Sequence, residues 1–302
     1  MNSIDILKQS EKINPSIITI GTFDGMHNGH MSLLKEMLSS KGNLEPVVIS
    51  FNKSPKEIIS NKIPKIIFEL GEKIKMIKNL GISKVLAIDF DSSIKNLNGR
   101  DFIKILKQYL NLKVLIIGED TLLGKDRIGS KDGLGEVLEE QDSFLLIVQN
   151  KKNENNKISS SHIKQLILDG DIALANSLLG RDYYVSGKVI EGEKIGNKLG
   201  FPTANIDYND DLIIPKDGIY KTITYVNNLK YLSATSIGNN PTFNGLEKTI
   251  ETYIIDFKNN IYDKIIKINF VEFIRNQIKF NDIDSLKKQM SIDINYIINT
   301  KG

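Results

Sequence analysis

Hydrophobic residues in the first half of the chain form short β-branched runs, and each run is followed by a stretch whose apolar positions recur at helical spacing. The runs predict strands at 16–20, 45–51, 85–90 and 114–118. The amphipathic stretches predict helices at 31–38, 68–80, 99–110 and 173–179. Because strands that alternate with helices form a parallel sheet covered on both faces, we expect a ligand site at the carboxyl ends of these strands.

The hydrophobic period changes after Gly180, where helical spacing gives way to short runs separated by turn residues. The runs predict strands at 183–190, 218–225, 230–237, 250–256 and 264–274, with hairpin-like turns at 227–228 and 259–260. Several short strands without intervening helices are typical of a compact antiparallel sandwich or barrel. A closing helix is predicted over 283–298. We therefore predict an α/β domain over residues 1–181 and a β domain over residues 182–302.

Composition narrows the classes of function. The 302 residues include 40 basic and 37 acidic side chains, and the resulting net charge of +3 gives no indication of a nucleic-acid or membrane partner. The absence of cysteine excludes disulfides and thiol chemistry. No apolar run reaches the roughly 18 residues of a transmembrane helix, and residues 1–14 show no secretion signal, so we expect a soluble, cytoplasmic protein.

The first candidate functional site is the turn after the first predicted strand. Residues 21–30 of this turn have the sequence G-T-F-D-G-M-H-N-G-H. The first N–H groups of a helix are unpaired and its dipole favours anions, so the helix start after this turn is suited to phosphate. His27 and His30 lie one helical turn apart and could donate to phosphate oxygens, while Gly25 and Gly29 would allow close approach of a nucleotide. Two histidines in a polar loop, or two metal ligands, are the alternatives, although only His162 remains as a further zinc ligand.

This string resembles the nucleotide-binding signature of the bacterial bifunctional riboflavin kinase/FAD synthetases, members of the H-x-G-H nucleotidyltransferase superfamily. The resemblance implies a Rossmann-like nucleotidyltransferase domain with His27 and His30 as catalytic residues. It also implies ATP contacts from Gly21, Phe23, Asp24 and Gly29.

A second string, I-S-S-S-H-I-K over residues 158–164, resembles the I-S-S-T-x-x-R signature of the same domain. Hydroxyls at a helix start can cap the helix and donate to phosphate, and a cation one turn later can neutralise a triphosphate. The resemblance thus implies ATP contacts from Ser159, Ser160, Ser161 and Lys164. The chain departs from the family pattern at 121–123, where Thr-Leu-Leu replaces an aromatic-arginine-aromatic triplet, and at 52–55, where Asn-Lys-Ser-Pro replaces proline-histidine-proline.

The predicted β domain contains a glycine-rich stretch over residues 187–205 that ends in Pro-Thr-Ala-Asn. Glycine N–H groups could wrap a polyphosphate, and a hydroxyl and an amide oxygen are hard ligands suited to Mg²⁺. Its string G-x-x-x-G-x-x-x-G-F-P-T-A-N closely resembles the riboflavin kinase signature. The resemblance implies that ATP contacts Gly192, Gly196, Gly200, Pro202 and Thr203, and that Thr203 and Asn205 hold the metal.

Further kinase positions follow from the resemblance. Glu251, in a strand that ends in Asp-Phe, matches the catalytic carboxylate of the family, and 237–243 matches its I-G-x-x-P-T-F loop. Arg275 and Phe280 match flavin contacts, whereas Gln277 stands where glutamate is common.

Together these observations predict an enzyme that phosphorylates riboflavin in its β domain and adenylylates FMN in its α/β domain. The expected cofactor is Mg²⁺ with ATP, the expected partners are the small molecules ATP, riboflavin, FMN and FAD, and the expected state is a monomer or weak homo-oligomer. Three alternatives remain open: a riboflavin kinase with weak or lost adenylyltransferase activity, a cytidylyltransferase acting on a polyol or lipid phosphate, and a non-catalytic flavin-binding regulator.

Overall fold

A computed structural model describes residues 2–9, 14–59, 65–129, 133–149, 152–153, 156–192, 196, 200–242 and 245–300. The chain divides into two compact units, residues 1–160 and 161–302. The domain boundary predicted at 181/182 stays a prediction. Residues 161–181, which precede this boundary, belong to the second compact unit.

The first unit alternates strands and helices along most of its length. Its elements are α1 Ser3–Lys8, β1 Ser16–Gly21, α2 Asn28–Ser40, β2 Glu45–Phe51, α3 Pro55–Ile59, α4 Leu70–Asn79, β3 Lys84–Ile88, α5 Ser92–Lys95, α6 Gly99–Leu110, β4 Leu112–Gly118, β5 Leu122–Leu123, β6 Ile128–Gly129, α7 Leu134–Glu139, β7 Phe144–Val148, β8 Lys152–Asn153 and β9 Asn156–Lys157. Strand β7 and the short helices α1, α3, α5 and α7 are not among the predicted elements.

The five longer strands form one parallel sheet in the order β3-β2-β1-β4-β7. Strand β1 is central and buried over residues 16–20, and its side chains pack into two hydrophobic cores, one on each face of the sheet. Ile18 and Ile20 pack with buried residues of α6 on one face, and Ile17 packs with Leu34 and Met37 of α2 on the other. The predicted parallel α/β sheet is confirmed.

The second unit begins within helix α8 and continues into an all-β region. Its elements are α8 Ser160–Asp169, α9 Ile172–Leu179, β10 Tyr183–Ile190, β11 Thr203–Tyr208, β12 Gly218–Val226, β13 Leu229–Thr242, β14 Gly245–Ile254, β15 Ile265–Arg275 and α10 Ile283–Asn299.

Six strands close into a barrel in the order β10-β11-β14-β13-β12-β15, which confirms the barrel alternative. The predicted turn at Asn227-Asn228 joins β12 to β13, and both asparagines adopt positive φ, as a tight hairpin requires. The hairpin-like turn predicted at Asn259-Asn260 is wrong. Strand β14 pairs with β11 and β13, and β15 pairs with β10 and β12, so the two strands that flank these asparagines are not neighbours.

Hydroxyl groups fill part of the barrel interior. Five side chains on β12, β13 and β14 are completely buried and hydrogen-bonded to one another: Thr222, Thr224, Ser233, Thr235 and Thr252. Oxygen–oxygen distances in this group run from 2.7 Å between Thr222 and Thr235 to 3.5 Å between Thr224 and Thr252. The residues next to them on β13 and β14 therefore face away from the interior, because side chains alternate along a strand.

Helix α10 confirms the predicted closing helix. Asp282 caps its first turn by accepting a hydrogen bond from Ser285 N at 2.7 Å. At the other end the buried Lys221 of β12 donates to Thr300 O at 2.6 Å, a favourable contact for a cation at a helix C-terminus. No helix in the described part of the chain is long and apolar enough to cross a membrane.

Candidate active sites

The turn over residues 21–30, which we call the histidine turn, is held in place by two buried apolar side chains. Phe23 and Met26 adopt left-handed backbone conformations, with φ of 49° and 43°, and both are buried in the core beneath α2. This conformation is unfavourable for residues other than glycine, so the buried side chains must stabilise it. The turn therefore presents the start of α2 in one fixed geometry.

His27 and His30 lie together at that helix start. His27 is the N-cap of α2, and its Nδ1 accepts a hydrogen bond from His30 N at 3.3 Å. Because Nδ1 is an acceptor, the neutral His27 ring carries its proton on Nε2. The two imidazoles are stacked with centroids 3.7 Å apart, and a Cβ on Gly29 would lie 3.1 Å from the His27 ring. The geometry therefore offers paired ring donors beside the positive end of a 13-residue helix.

Asp24 connects the two segments that are predicted to bind ATP, residues 21–30 and residues 158–164. Its carboxylate accepts a hydrogen bond from Ile67 N at 2.9 Å, and its carbonyl oxygen accepts one from Ser160 Oγ at 2.8 Å. Ser159 directly precedes α8, and Ser161 and Lys164 lie on that helix. The structure therefore brings Ser160 to the histidine turn.

Lys73 is a feature of this region that the sequence interpretation missed. The side chain on α4 is only 1% exposed, and its ammonium donates to Thr22 O at 3.0 Å and to Phe51 O at 3.2 Å. These carbonyls follow β1 and end β2, so one cation ties the carboxyl ends of two neighbouring strands. The available signal was a lysine four residues before the buried Ile77 on an amphipathic helix.

The segments that depart from the family pattern have defined contacts of their own. Leu122 lies in the β5–β6 hairpin with its side chain exposed. Gly124, with φ of 72°, packs so closely on Gly99 that a Cβ would overlap the Gly99 nitrogen, and Asp126 accepts from Gly99 N at 2.8 Å. After β2, the Asn52 amide donates to Asp89 Oδ1 at 2.8 Å.

The second candidate site lies across β11, β14 and β13 of the barrel. Glu251 on β14 is directly opposite Asn205 on β11 and directly opposite Ser236 on β13. Thr203, two residues before Asn205, donates from its hydroxyl to Glu251 Oε2 at 3.1 Å. The neighbouring Ala204, Thr252 and Thr235 form a buried row, so the Glu251 row lies on the opposite face of the strands.

The glycine-rich stretch approaches this row closely. A Cβ on Gly192 would overlap the amide of Asn205, and one on Gly196 would overlap Phe201 O, whereas Gly200 needs glycine for its φ of 87°. Residues 193–195 and 197–199 of the stretch lie outside the described residues. The Thr203 hydroxyl and the Asn205 amide oxygen, beside Glu251, form an all-oxygen donor set that fits Mg²⁺.

The predicted flavin side follows β15. Arg275 donates to both carboxylate oxygens of Asp293 on α10, with Nε distances of 3.0 and 3.1 Å, and Asp293 is 5% exposed. Phe280, five residues later, is half-buried. Phe243, the last residue of the I-G-x-x-P-T-F string, lies outside the described residues.

Comparison with known proteins identifies both halves of the chain. Residues 9–162 match the family model described as FAD synthetase, and residues 179–300 match that described as riboflavin kinase. The bifunctional riboflavin kinase/FMN adenylyltransferase of Buchnera aphidicola subsp. Schizaphis graminum is 36% identical over 95% of each chain. The Listeria monocytogenes protein of the same name is 32% identical over 92% of this chain and 90% of its own.

A solved structure is similar over the same length. The crystal structure of a protein described as a macrolide-efflux protein of Streptococcus pneumoniae has a TM-score of 0.90 and 31% identity, covering 98% of this chain and 97% of its own. The predicted fold class and the resemblance drawn from the sequence strings are both confirmed. The chain belongs to the family of bifunctional riboflavin kinase/FMN adenylyltransferases.

Proposed function

We propose that this chain makes FAD in two steps, phosphorylating riboflavin to FMN in the barrel and adenylylating FMN in the α/β unit. The observation that carries the proposal is the hydrogen bond from Thr203 to Glu251 on the face shared with Asn205. This arrangement places a candidate base beside two oxygens of the kind that Mg²⁺ prefers, which supports transfer of a γ-phosphoryl group to an alcohol. Family membership supports the same pair of reactions.

In the kinase step, Glu251 takes the proton of the ribityl 5′-hydroxyl as its oxygen attacks the γ-phosphorus of ATP. A bond from that oxygen to phosphorus forms, the bond to the β–γ bridging oxygen breaks, and ADP leaves. Thr203 orients Glu251 through its hydroxyl proton, and its lone pairs remain for a metal that Asn205 would also contact. Bound Mg²⁺ would neutralise phosphate charge, and the phosphates would lie along Gly192, Gly196, Gly200 and Pro202.

In the adenylyltransferase step, a phosphate oxygen of FMN attacks the α-phosphorus of ATP and pyrophosphate leaves. The proposed role of His27 and His30 is to donate ring N–H bonds to phosphate oxygens whose charge rises in the transition state. The positive end of the α2 dipole would add to this stabilisation. The proposed ATP contacts are Gly21, Phe23, Asp24, Gly29, Ser159, Ser160, Ser161 and Lys164.

Other parts of the proposal concern flavin binding and organisation. We place the flavin ring near Phe280 and the segment that Arg275 anchors, and the functional boundary between the two activities at 181/182. The proposed partners are small molecules only, without nucleic acid or membrane. The protein would act in the cytoplasm as a monomer or weak homo-oligomer.

Two product assays on the full chain test the proposal. Riboflavin with ATP and Mg²⁺ should give FMN, and FMN with ATP and Mg²⁺ should give FAD and pyrophosphate, each separated by chromatography. No FMN above blank would refute the kinase, and no FAD above blank would leave a kinase alone. Flavin binding without either product would indicate a regulator, and turnover of CTP with a polyol phosphate would indicate a cytidylyltransferase.

A further inference from the structure

We propose that Gln277 and Ser236 form a clamp that positions the flavin-side segment, residues 276–280, beside Glu251, and that this clamp sets the affinity for riboflavin. The inference rests on the proposed kinase function and adds two residues to it. We call this pair of side chains the Gln277 clamp.

The clamp consists of two hydrogen bonds from one amide group. Gln277 Nε2 donates to Ser236 Oγ at 2.8 Å and to Ile237 O at 2.9 Å. The two bonds join the chain just after β15 to β13, about forty residues earlier. A carbonyl oxygen such as that of Ile237 only accepts, so the contact needs a donor at position 277. An ionised carboxylate at 277 would place two acceptors against each other.

The strand register places the clamp next to the kinase carboxylate. Ser236 is directly opposite Glu251 in the β13–β14 pair. Residues directly opposite in an antiparallel pair project from the same face, with Cβ atoms about 5 Å apart. The Gln277 amide therefore contacts the immediate neighbour of Glu251.

Residues 276–280 depend on side-chain contacts for their position, since they belong to neither a helix nor a strand. The segment is anchored at its start by Arg275, whose guanidinium binds Asp293 of α10, and two residues later by the Gln277 clamp. Phe280 follows three residues beyond the clamp. The Arg275–Asp293 ion pair and the Gln277 clamp together fix the path of the backbone that leads to Phe280.

The fold does not require the clamp. Helix α10 is attached to the barrel by the Arg275–Asp293 ion pair and by Lys221, which binds Thr300. Strands β12 and β15 pair with each other from residue 219 to residue 225 of β12. Removing the Gln277 amide leaves all of these contacts intact, so its effect should fall on the flavin-side segment.

Steady-state kinase assays on the full chain test the clamp with Gln277→Ala, Gln277→Glu and Ser236→Ala. We expect Gln277→Ala and Gln277→Glu to raise the KM for riboflavin by about fivefold or more, as loss of two hydrogen bonds would, with the KM for ATP and the melting temperature nearly unchanged. Ser236→Ala removes one acceptor and should have a smaller effect. Ser236→Thr, which keeps a hydroxyl, should restore most of the affinity lost in Ser236→Ala.

The matched control is Gln165→Ala on α8, where an exposed glutamine amide binds only surface Asp169 in the contacts described. It should leave the KM for riboflavin unchanged. An unchanged KM in Gln277→Ala, or a parallel rise in both KM values with a lower melting temperature, would overturn the inference. If the wild-type chain makes no FMN, the kinase proposal fails by itself, and riboflavin fluorescence titration still decides whether Gln277→Ala weakens flavin binding.

Discussion

Thr203 Oγ1 on β11 donates a hydrogen bond to Glu251 Oε2 on β14 across 3.1 Å. Glutamine at 251 would still accept this bond through its amide oxygen but would not take a proton from an alcohol. We expect Glu251→Gln to abolish FMN formation from riboflavin and to leave FAD formation from supplied FMN nearly intact. Both products are measured by chromatography on one preparation. Equal loss of both activities would mean that the two units do not act independently.

His30→Ala tests the other site. Removal of one donor to a developing phosphate charge typically lowers a rate by on the order of 10². FAD formation should fall by about that factor, while FMN formation by the same preparation serves as the internal control. An unchanged rate of FAD formation would remove His30 from the mechanism.

Gly192→Ala tests the close approach of the glycine-rich stretch to the proposed metal ligand. The added Cβ would overlap the Asn205 amide and displace it, so we expect a higher KM for Mg²⁺-ATP in the kinase assay. The control is Gly135→Ala on α7, where a Cβ meets nothing within 4 Å and the helix should gain up to about 1 kcal/mol. A normal KM in Gly192→Ala would contradict the assignment of Asn205.

Lys73→Met would leave the carbonyls of Thr22 and Phe51 without the ammonium that joins them. A buried carbonyl that loses its donor costs about 1–3 kcal/mol, so the turn before the histidines should loosen. We expect a higher KM for ATP in FAD formation and unchanged FMN formation. Lys75→Met, on the exposed side of the same helix, is the matched control. If the two variants behave alike, Lys73 has no special role.

Asp91 provides a pH test of folding. Burial by itself raises the pKa of this carboxyl, but hydrogen bonds from Ser93, Ser3 and Ile94 outweigh burial and lower the pKa from 3.8 to about 2. The ionised form is therefore favoured in the folded state, and its contribution to stability is present above pH 4 and is lost as the pH falls towards 2.

Both carboxylate oxygens of Asp91 accept hydrogen bonds, one from Ser3 N and the other from Ser93 N, whereas an asparagine amide has only one accepting oxygen. Asp91→Asn should accordingly destabilise the protein by about 1 kcal/mol at pH 7, the usual cost of a lost hydrogen bond, with a smaller difference near pH 2. Urea titrations at several pH values measure this difference. A constant gap between wild type and variant across that range would contradict the assignment.

Much of the fold was predictable because its signals are local. The apolar runs and the turn at Asn227-Asn228 place the central strands and one hairpin, and the string over 21–30 places both histidines at a helix start. The order of strands in the barrel was not predictable, since it depends on pairing between distant segments such as β11 and β14. Lys73 was missed, and the hydrogen-bond partners of Gln277 were not predictable, for the same reason: the groups that both side chains contact lie far away in sequence.

Because of the five buried hydroxyls, the register of the barrel strands depends on hydrogen bonding as well as on packing. Apolar side chains would tolerate some sliding of β13 against its neighbours, since any contact between them is favourable. Each hydroxyl instead needs a partner at one position, and a shift of one residue would carry it to the outer face and leave its partners unpaired in the interior. Misregistered barrels are thereby penalised at several sites at once, so the position of Glu251 relative to Asn205 and Ser236 is already decided when the barrel closes.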